Sequence, residues 1–126
     1  MRSIFQVEYR PSLLAVREEI LATLGHPVIS ALDSQAARSL NLTLASLGVI
    51  VIGHGAGRLE RQELIDFFRR TAPGVPIIAL LRKRDKRFDQ VDYNCPADDP
   101  PEWGKDRHAG SSRNSIGVVR RGCRDR

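Results

Sequence analysis

A chain of 126 residues with 41% hydrophobic residues is long enough for one compact domain with its own core. Its formal net charge of +5 is unevenly distributed, because residues 1–103 hold 13 basic and 13 acidic side chains and residues 104–126 hold 7 and 2. The neutral body excludes a basic surface spread over the domain, and the lack of a long apolar run or export signal predicts a cytoplasmic protein.

The first predicted strand and helix follow from local chemistry. Residues 3–9 are rich in β-branched and aromatic side chains and stop at Arg10-Pro11, as a strand running into a turn does. Ser12 is the predicted N-cap of a helix that Gly25 ends. The predicted buried face of this helix carries Leu13, Val16, Ile20, Leu21 and Leu24, and its exposed face carries Arg17, Glu18 and Glu19.

The middle of the chain repeats the pattern of a strand followed by a helix. Residues 26–32 predict a second strand, and Asp33 or Ser34 begins a short helix. Residues 47–52 are apolar without alternation, which is typical of a central parallel strand covered on both faces. A charged helix is predicted from Arg58 to about Thr71. Its predicted buried side carries Leu59, Leu64, Ile65, Phe67 and Phe68.

Two further strands complete the predicted sheet. They cover residues 75–81, with Pro76 at the strand start, and residues 90–95, closed by Pro96. Strands that alternate with helices through short loops require right-handed crossovers and a parallel sheet. The predicted fold is therefore flavodoxin-like, a three-layer α/β/α arrangement around a five-stranded parallel sheet.

Four segments in a fixed order carry a family resemblance. Val7-Glu8-Tyr9 is a strand that runs into an acidic residue, and Leu24-Gly25 joins a helix to a strand. Residues 75–80 and 91–96 supply the last two strands. Together they resemble the receiver domain of two-component response regulators. This resemblance implies a module of a phosphorelay signal transduction system, with a histidine kinase, another receiver or an output protein as its partner.

The residues that carry receiver chemistry are mostly replaced. The family uses paired carboxylates to hold Mg²⁺, an aspartate nucleophile, a hydroxyl residue and a lysine. At the corresponding positions stand Glu8, Tyr9, Gly53, Leu81 and Cys95, with Asn94 as an alternative to the last. Glu8 alone keeps the family's chemistry. The resemblance therefore implies a pseudo-receiver without phosphorylation, metal, cofactor or enzymatic activity, which acts through protein–protein interaction.

The C-terminal segment departs from the family pattern. Receivers end in a helix that covers one sheet face, whereas here helical periodicity stops at Gly104. We therefore expect a domain over residues 1–103 with its last helix truncated or missing, and a disordered basic tail over residues 104–126, rich in Gly, Ser and Arg. An uncovered sheet face would expose an apolar patch, which predicts self-association.

Several residues have a second interpretation. His54 is a conceivable phosphoacceptor, although an exposed loop histidine is favoured. The loop Gly53-Gly55-Gly57 could cradle an anion, but turn glycines are favoured because its spacing fits neither nucleotide-binding fingerprint. Cys95 is favoured as a small buried hydrophobe over a redox thiol, and no cysteine has zinc-ligand spacing. Arg82, Lys83 and Arg84 are possible anion contacts, so a nucleic-acid or anion-binding protein using residues 82–87 and the tail is the alternative function.

Overall fold

The computed structural model describes residues 2–39 and 47–96. Within them, strands and helices follow in the order β1 Ser3–Glu8, α1 Pro11–Ala22, β2 Val28–Leu32, α2 Ser34–Ser39, β3 Leu47–Ile52, α3 Arg58–Thr71, β4 Ile77–Leu81 and β5 Tyr93–Pro96. All five strands are parallel and form one sheet in the order β2-β1-β3-β4-β5. This arrangement confirms the predicted flavodoxin-like α/β fold.

The core consists of two apolar clusters, one on each face of the sheet. On one face, alternate residues of β1, β3 and β4 pack against Leu64 and Phe68 of α3. On the other, the intervening residues pack with Leu21 of α1 and with Leu24 in the turn that follows it. The strand β3 is buried along its whole length, as its continuous apolar sequence predicted.

The start of α1 differs from the prediction. Arg10 is the N-cap and has extended backbone angles, and Pro11 rather than Ser12 opens the helix. Proline suits the first helical position because its missing N–H would have no intrahelical partner there. The helix ends at Ala22, three residues before Gly25, whose φ of 85° gives the left-handed turn that carries the chain towards β2.

The predicted buried faces of the two long helices are partly wrong. Val16 and Leu59 are 51% and 73% exposed, although both were placed in the core. Arg17 and Arg61 are buried instead. Each arginine lies one helical turn before the apolar residues that face the sheet, so the same rotation that buries those residues turns the arginine inward.

The connection between β4 and β5, residues 82–92, contains no helix, so helices do not alternate with every strand. Buried Phe88 anchors this segment: its N–H donates to Asn94 Oδ1 at 2.9 Å, and its carbonyl accepts from Asn94 Nδ2 at 3.1 Å. Arg58 lies over the Phe88 ring, 4.1 Å from its centroid. The last strand begins at Tyr93 rather than at residue 90, because the segment before it is held by the contacts of Phe88 with Asn94 and Arg58.

The predictions for the C-terminal segment lie outside the described residues, since the description ends at Pro96. Self-association, which was predicted from an uncovered sheet face, therefore stays a prediction. The apolar residues on the α1 face of β3, β4 and β5 are buried, namely Val49, Val51, Ile78, Leu80 and Cys95. No described helix is long and apolar enough to cross a membrane.

Candidate functional site

The candidate site lies at the carboxyl ends of the central strands, where parallel α/β sheets bind their ligands. Glu8 is the last residue of β1, and Gly53 directly follows β3. The Gly53 N–H donates to the Val7 carbonyl at 2.7 Å, which continues the β1–β3 ladder beyond Ile52. Glu8 and Gly53 are therefore brought together, as their predicted positions require.

Glu8 is the centre of the site and is completely buried, with 0% of its surface exposed. One carboxylate oxygen, Oε2, forms an ion pair with Arg17 Nη1, and the other, Oε1, accepts a hydrogen bond from the Tyr9 N–H at 2.8 Å. A buried carboxylate needs such partners because leaving water is costly for a charge. The negative charge of Glu8 is therefore balanced within the protein by Arg17.

Arg17 supplies the neutralising charge from α1 and is 2% exposed. Burial lowers the pKa of its guanidinium to about 10, so it is a cation at neutral pH. The sequence interpretation missed this residue by placing it on the exposed face. The signal that could have found it is its spacing of four residues from Leu21, which puts both on one helix face.

Two glycines in the loop after β3 leave space for the Glu8 carboxylate. A β-carbon on Gly53 would lie 2.8 Å from Glu8 Oε1 and still closer to Cδ and Oε2. On Gly55 it would lie 2.9 Å from Oε1 and 3.0 Å from Tyr9 Cβ. Neither glycine has a positive φ, so both are required for close approach rather than for a turn conformation, which corrects the prediction. Gly57 has no neighbour near its missing β-carbon.

Tyr9 directly follows Glu8 at the end of β1. Its hydroxyl shares a hydrogen bond of 2.8 Å with Ser34 Oγ at the start of α2. Burial raises the pKa of the Tyr9 phenol, and the charges of Glu60 and Asp33 act in the same direction. Tyr9 is therefore a neutral phenol that ties the end of β1 to α2, with no carboxylate to offer a cation.

Leu81 and the segment after β4 form the third side of the site. Leu81 packs at the edge of the core and supplies no hydroxyl. Asp85 organises the following turn: its Oδ2 accepts from the Arg82 N–H at 2.8 Å and from Arg61 Nη2 at 3.2 Å. Burial opposes ionisation of Asp85, but the hydrogen bonds from Arg82 and the charges of both arginines lower its pKa overall. The side chains of Lys83 and Arg84 are exposed.

The positions proposed for the family's lysine are structural in this chain. Cys95 is paired in register with Leu80 and is buried in the apolar cluster on the α1 face. The amide of Asn94 is occupied by the backbone of Phe88. Neither side chain supplies an ammonium or a comparable cation to the site.

His54 is partly buried, whereas an exposed loop histidine was expected. Its pKa is lowered, first by burial and then by the positive charges of Arg17, Arg82, Arg61 and Arg10. Four arginines therefore lie close enough to His54 to disfavour its protonated form. Such an environment keeps the imidazole neutral at neutral pH.

We expect an NMR titration of His54 to give a midpoint below 6.5, the ordinary value for histidine. Between the lowered folded-state pKa and the unfolded-state value, the unfolded chain binds more protons, so stability falls as pH falls below about 6.5. Replacing His54 with Gln should reduce this dependence when urea unfolding is compared on the two sides of that pH. A midpoint at or above the ordinary value would contradict the effect of burial and of the nearby arginines on His54.

Comparison with known structures identifies which solved proteins share this fold. No family model matches the chain, and no curated protein matches it in sequence. The fold does match solved receiver domains. The signal receiver domain of an HD domain-containing protein from Pseudomonas fluorescens Pf-5 has a TM-score of 0.64 at 14% identity, with 96% of this chain and 93% of that chain covered.

Two further solved structures with a similar fold contain the response regulator TrrA. The regulator TrrA from Thermotoga maritima, in complex with Mg²⁺ and BeF, has a TM-score of 0.55 at 18% identity over 64% of this chain and 69% of that one. A complex of the histidine kinase ThkA with TrrA gives 0.62 at 17% identity over 76% and 85%. At these identities the similarity establishes the fold, which is that of receiver domains.

The residues at this site do not fit a magnesium ion. Mg²⁺ requires near-octahedral oxygen coordination and is usually held by carboxylates and water. In residues 2–39 and 47–96, no three His, Cys, Asp or Glu side chains are grouped so that they could hold a metal ion. Glu8 is already paired with Arg17, and Gly53 has no side chain. The site therefore combines a receiver fold with electrostatics unsuited to a receiver's metal.

Proposed function

We propose that this chain is a receiver-like module of a two-component signalling system that is not itself phosphorylated and acts in the cytoplasm by binding protein partners. The observation that carries the proposal is the buried Glu8–Arg17 ion pair packed against Gly53. The resemblance to receivers assigns phosphoryl transfer to the positions of Glu8 and Gly53. The module has no catalytic role in this proposal.

The chemistry of phosphoryl transfer supports this function. Transfer to a carboxylate needs an accessible nucleophile and cations that neutralise charge on the phosphoryl oxygens. Gly53 offers no nucleophile, and Glu8 is inaccessible with both oxygens engaged. We propose that Glu8, Tyr9, Gly53, Leu81 and Cys95 are the degenerate counterparts of the family's reactive positions.

The proposed partner classes come from the fold. TrrA binds the kinase ThkA in a solved complex, which makes a histidine kinase a reasonable partner for a chain of this fold. Another receiver or an output protein remains an equal candidate, because fold alone does not select the partner. Self-association is a further candidate and is tested by sedimentation at high protein concentration.

The test is the intact mass after incubation with Mg²⁺ and acetyl phosphate, beside an ordinary receiver as the positive control. We expect the control to gain one phosphoryl group and this chain to remain unmodified, because it lacks both nucleophile and metal site. Binding to candidate kinases should then be measured with and without the phosphodonor and should not differ. A stable added phosphoryl group on this chain would contradict the proposal.

A second candidate function rests on the exposed side chains of Lys83 and Arg84 and the half-exposed Arg82 beside them. Together with the basic tail, this segment could bind nucleic acid or another polyanion. Polyanion binding through such contacts weakens steeply with salt, because it releases condensed counterions. Binding to duplex DNA that is strong at low salt, weakens as salt is raised and is abolished by Lys83→Glu with Arg84→Glu would favour this function.

A further inference from the structure

The acidic group at the end of β1 already has a cation, and that cation belongs to the chain. We infer that the guanidinium of Arg17 replaces the divalent cation of this site, so that the Glu8–Arg17–Gly53 unit holds the site in one state whether or not metal is present. This inference goes beyond the proposed absence of phosphorylation, since it names the interactions that fix the conformation of the site. Only the consequence for signalling rests on the proposed function.

The first argument is electrostatic. Glu8 and Arg17 are both almost completely excluded from water, and in such surroundings each charge requires the other. A guanidinium is weakly hydrated and keeps its charge across the physiological range, which suits it to a permanent buried pair. A divalent cation would have to displace this tethered group and bind a single carboxylate, which is a poor ligand set for it.

The second argument is steric. The Glu8 carboxylate lies where the side chain of residue 53 would begin, so any residue larger than glycine would collide with it. Gly55 is close to the same carboxylate and to Tyr9. The loop after β3 has therefore adapted to a carboxylate that leans across from β1 towards Arg17. Carboxylate, guanidinium and glycine form one packed unit that joins β1, α1 and the end of β3.

The test uses divalent cations alone and measures thermal unfolding of the full chain. For the wild type, Mg²⁺ and Mn²⁺ at millimolar concentration should leave Tm unchanged. Arg17→Ala should lower Tm by more than about 10 °C, because Glu8 then lacks its cation. Arg17→Lys keeps a cation at this position and should lose clearly less Tm than Arg17→Ala. The double variant Glu8→Gln with Arg17→Ala should also lose less Tm than Arg17→Ala, because no buried charge is then left without a partner.

Two controls make the result specific. Arg70→Ala removes an exposed arginine from α3 and should change neither Tm nor the metal response. If Arg17→Ala is unfolded, a folded Arg17→Lys variant, measured by far-UV circular dichroism, supports the inference, and an unfolded one overturns it. A saturable metal response of the wild type, or an Arg17→Ala variant as stable as the wild type, would also overturn it. These outcomes are independent of the phosphodonor test, so each proposal can fail without the other.

Discussion

Replacing Gly53 with Ala is expected to lower the free energy of unfolding by about 3 kcal/mol or more. The new methyl group would overlap the Glu8 carboxylate, which is buried and held by Arg17 and the Tyr9 N–H. The backbone of residue 53 cannot retreat easily, because its N–H is bonded to the Val7 carbonyl. The carboxylate must therefore leave its partners or the strand ends must separate.

The matched control for this substitution is Gly74→Ala. Gly74 is exposed, has no atom within 4 Å of its missing β-carbon and does not have a positive φ. Alanine there should be neutral or stabilising by up to about 1 kcal/mol, because it restricts the unfolded chain. Urea unfolding of both variants measures the difference. Equal stability of the two variants would show that the Glu8 carboxylate is not fixed against residue 53.

The second large effect concerns the buried ion pair itself. Arg17→Met and Glu8→Gln should each cost about 3–5 kcal/mol, because each leaves a buried charge without its partner. The double variant should cost clearly less than the sum of the two, since it removes both charges while keeping most of the packing volume. A coupling energy of about 2 kcal/mol or more is expected from the double-mutant cycle.

An exposed charge on α1 provides the reference for this double-mutant cycle. Glu19 on α1 is exposed, and Glu19→Gln should change stability by less than about 0.5 kcal/mol. The four variants are compared by urea unfolding at neutral pH, where the guanidinium of Arg17 is charged. Additive effects of the two single substitutions would mean that Glu8 and Arg17 contribute independently, and the pair would lose its special role.

Sequence patterns were most reliable where one physical cause dominates. The bounds of β3 and α3 agree with the prediction, because a doubly covered strand must be apolar throughout and a charged amphipathic helix has a clear period. The positions of Glu8 and Gly53 at neighbouring strand ends followed from the parallel order of the sheet. The last strand was placed too early, because its start depends on the long-range anchor of Phe88 by Asn94.

The site itself could be predicted only in outline. Periodicity tells which residues share a helix face, but it does not fix how that face is rotated towards the sheet. Treating charged residues as exposed therefore failed at Arg17 and Arg61, which are buried at the carboxyl end of the sheet through ion pairs. The requirement for glycine at position 53 could not be predicted either, since only the folded structure shows that the Glu8 carboxylate fills the space of a side chain there.

The packing of Glu8 against Gly53 has a consequence for how this sequence can evolve. An aspartate at position 53 would need the space that the Glu8 carboxylate occupies, and moving that carboxylate would strand Arg17 in the interior. Each single step towards an aspartate at position 53 therefore passes through a protein of lowered stability, and such coupled substitutions are not additive. Selection for stability alone is enough to hold glycine at this position.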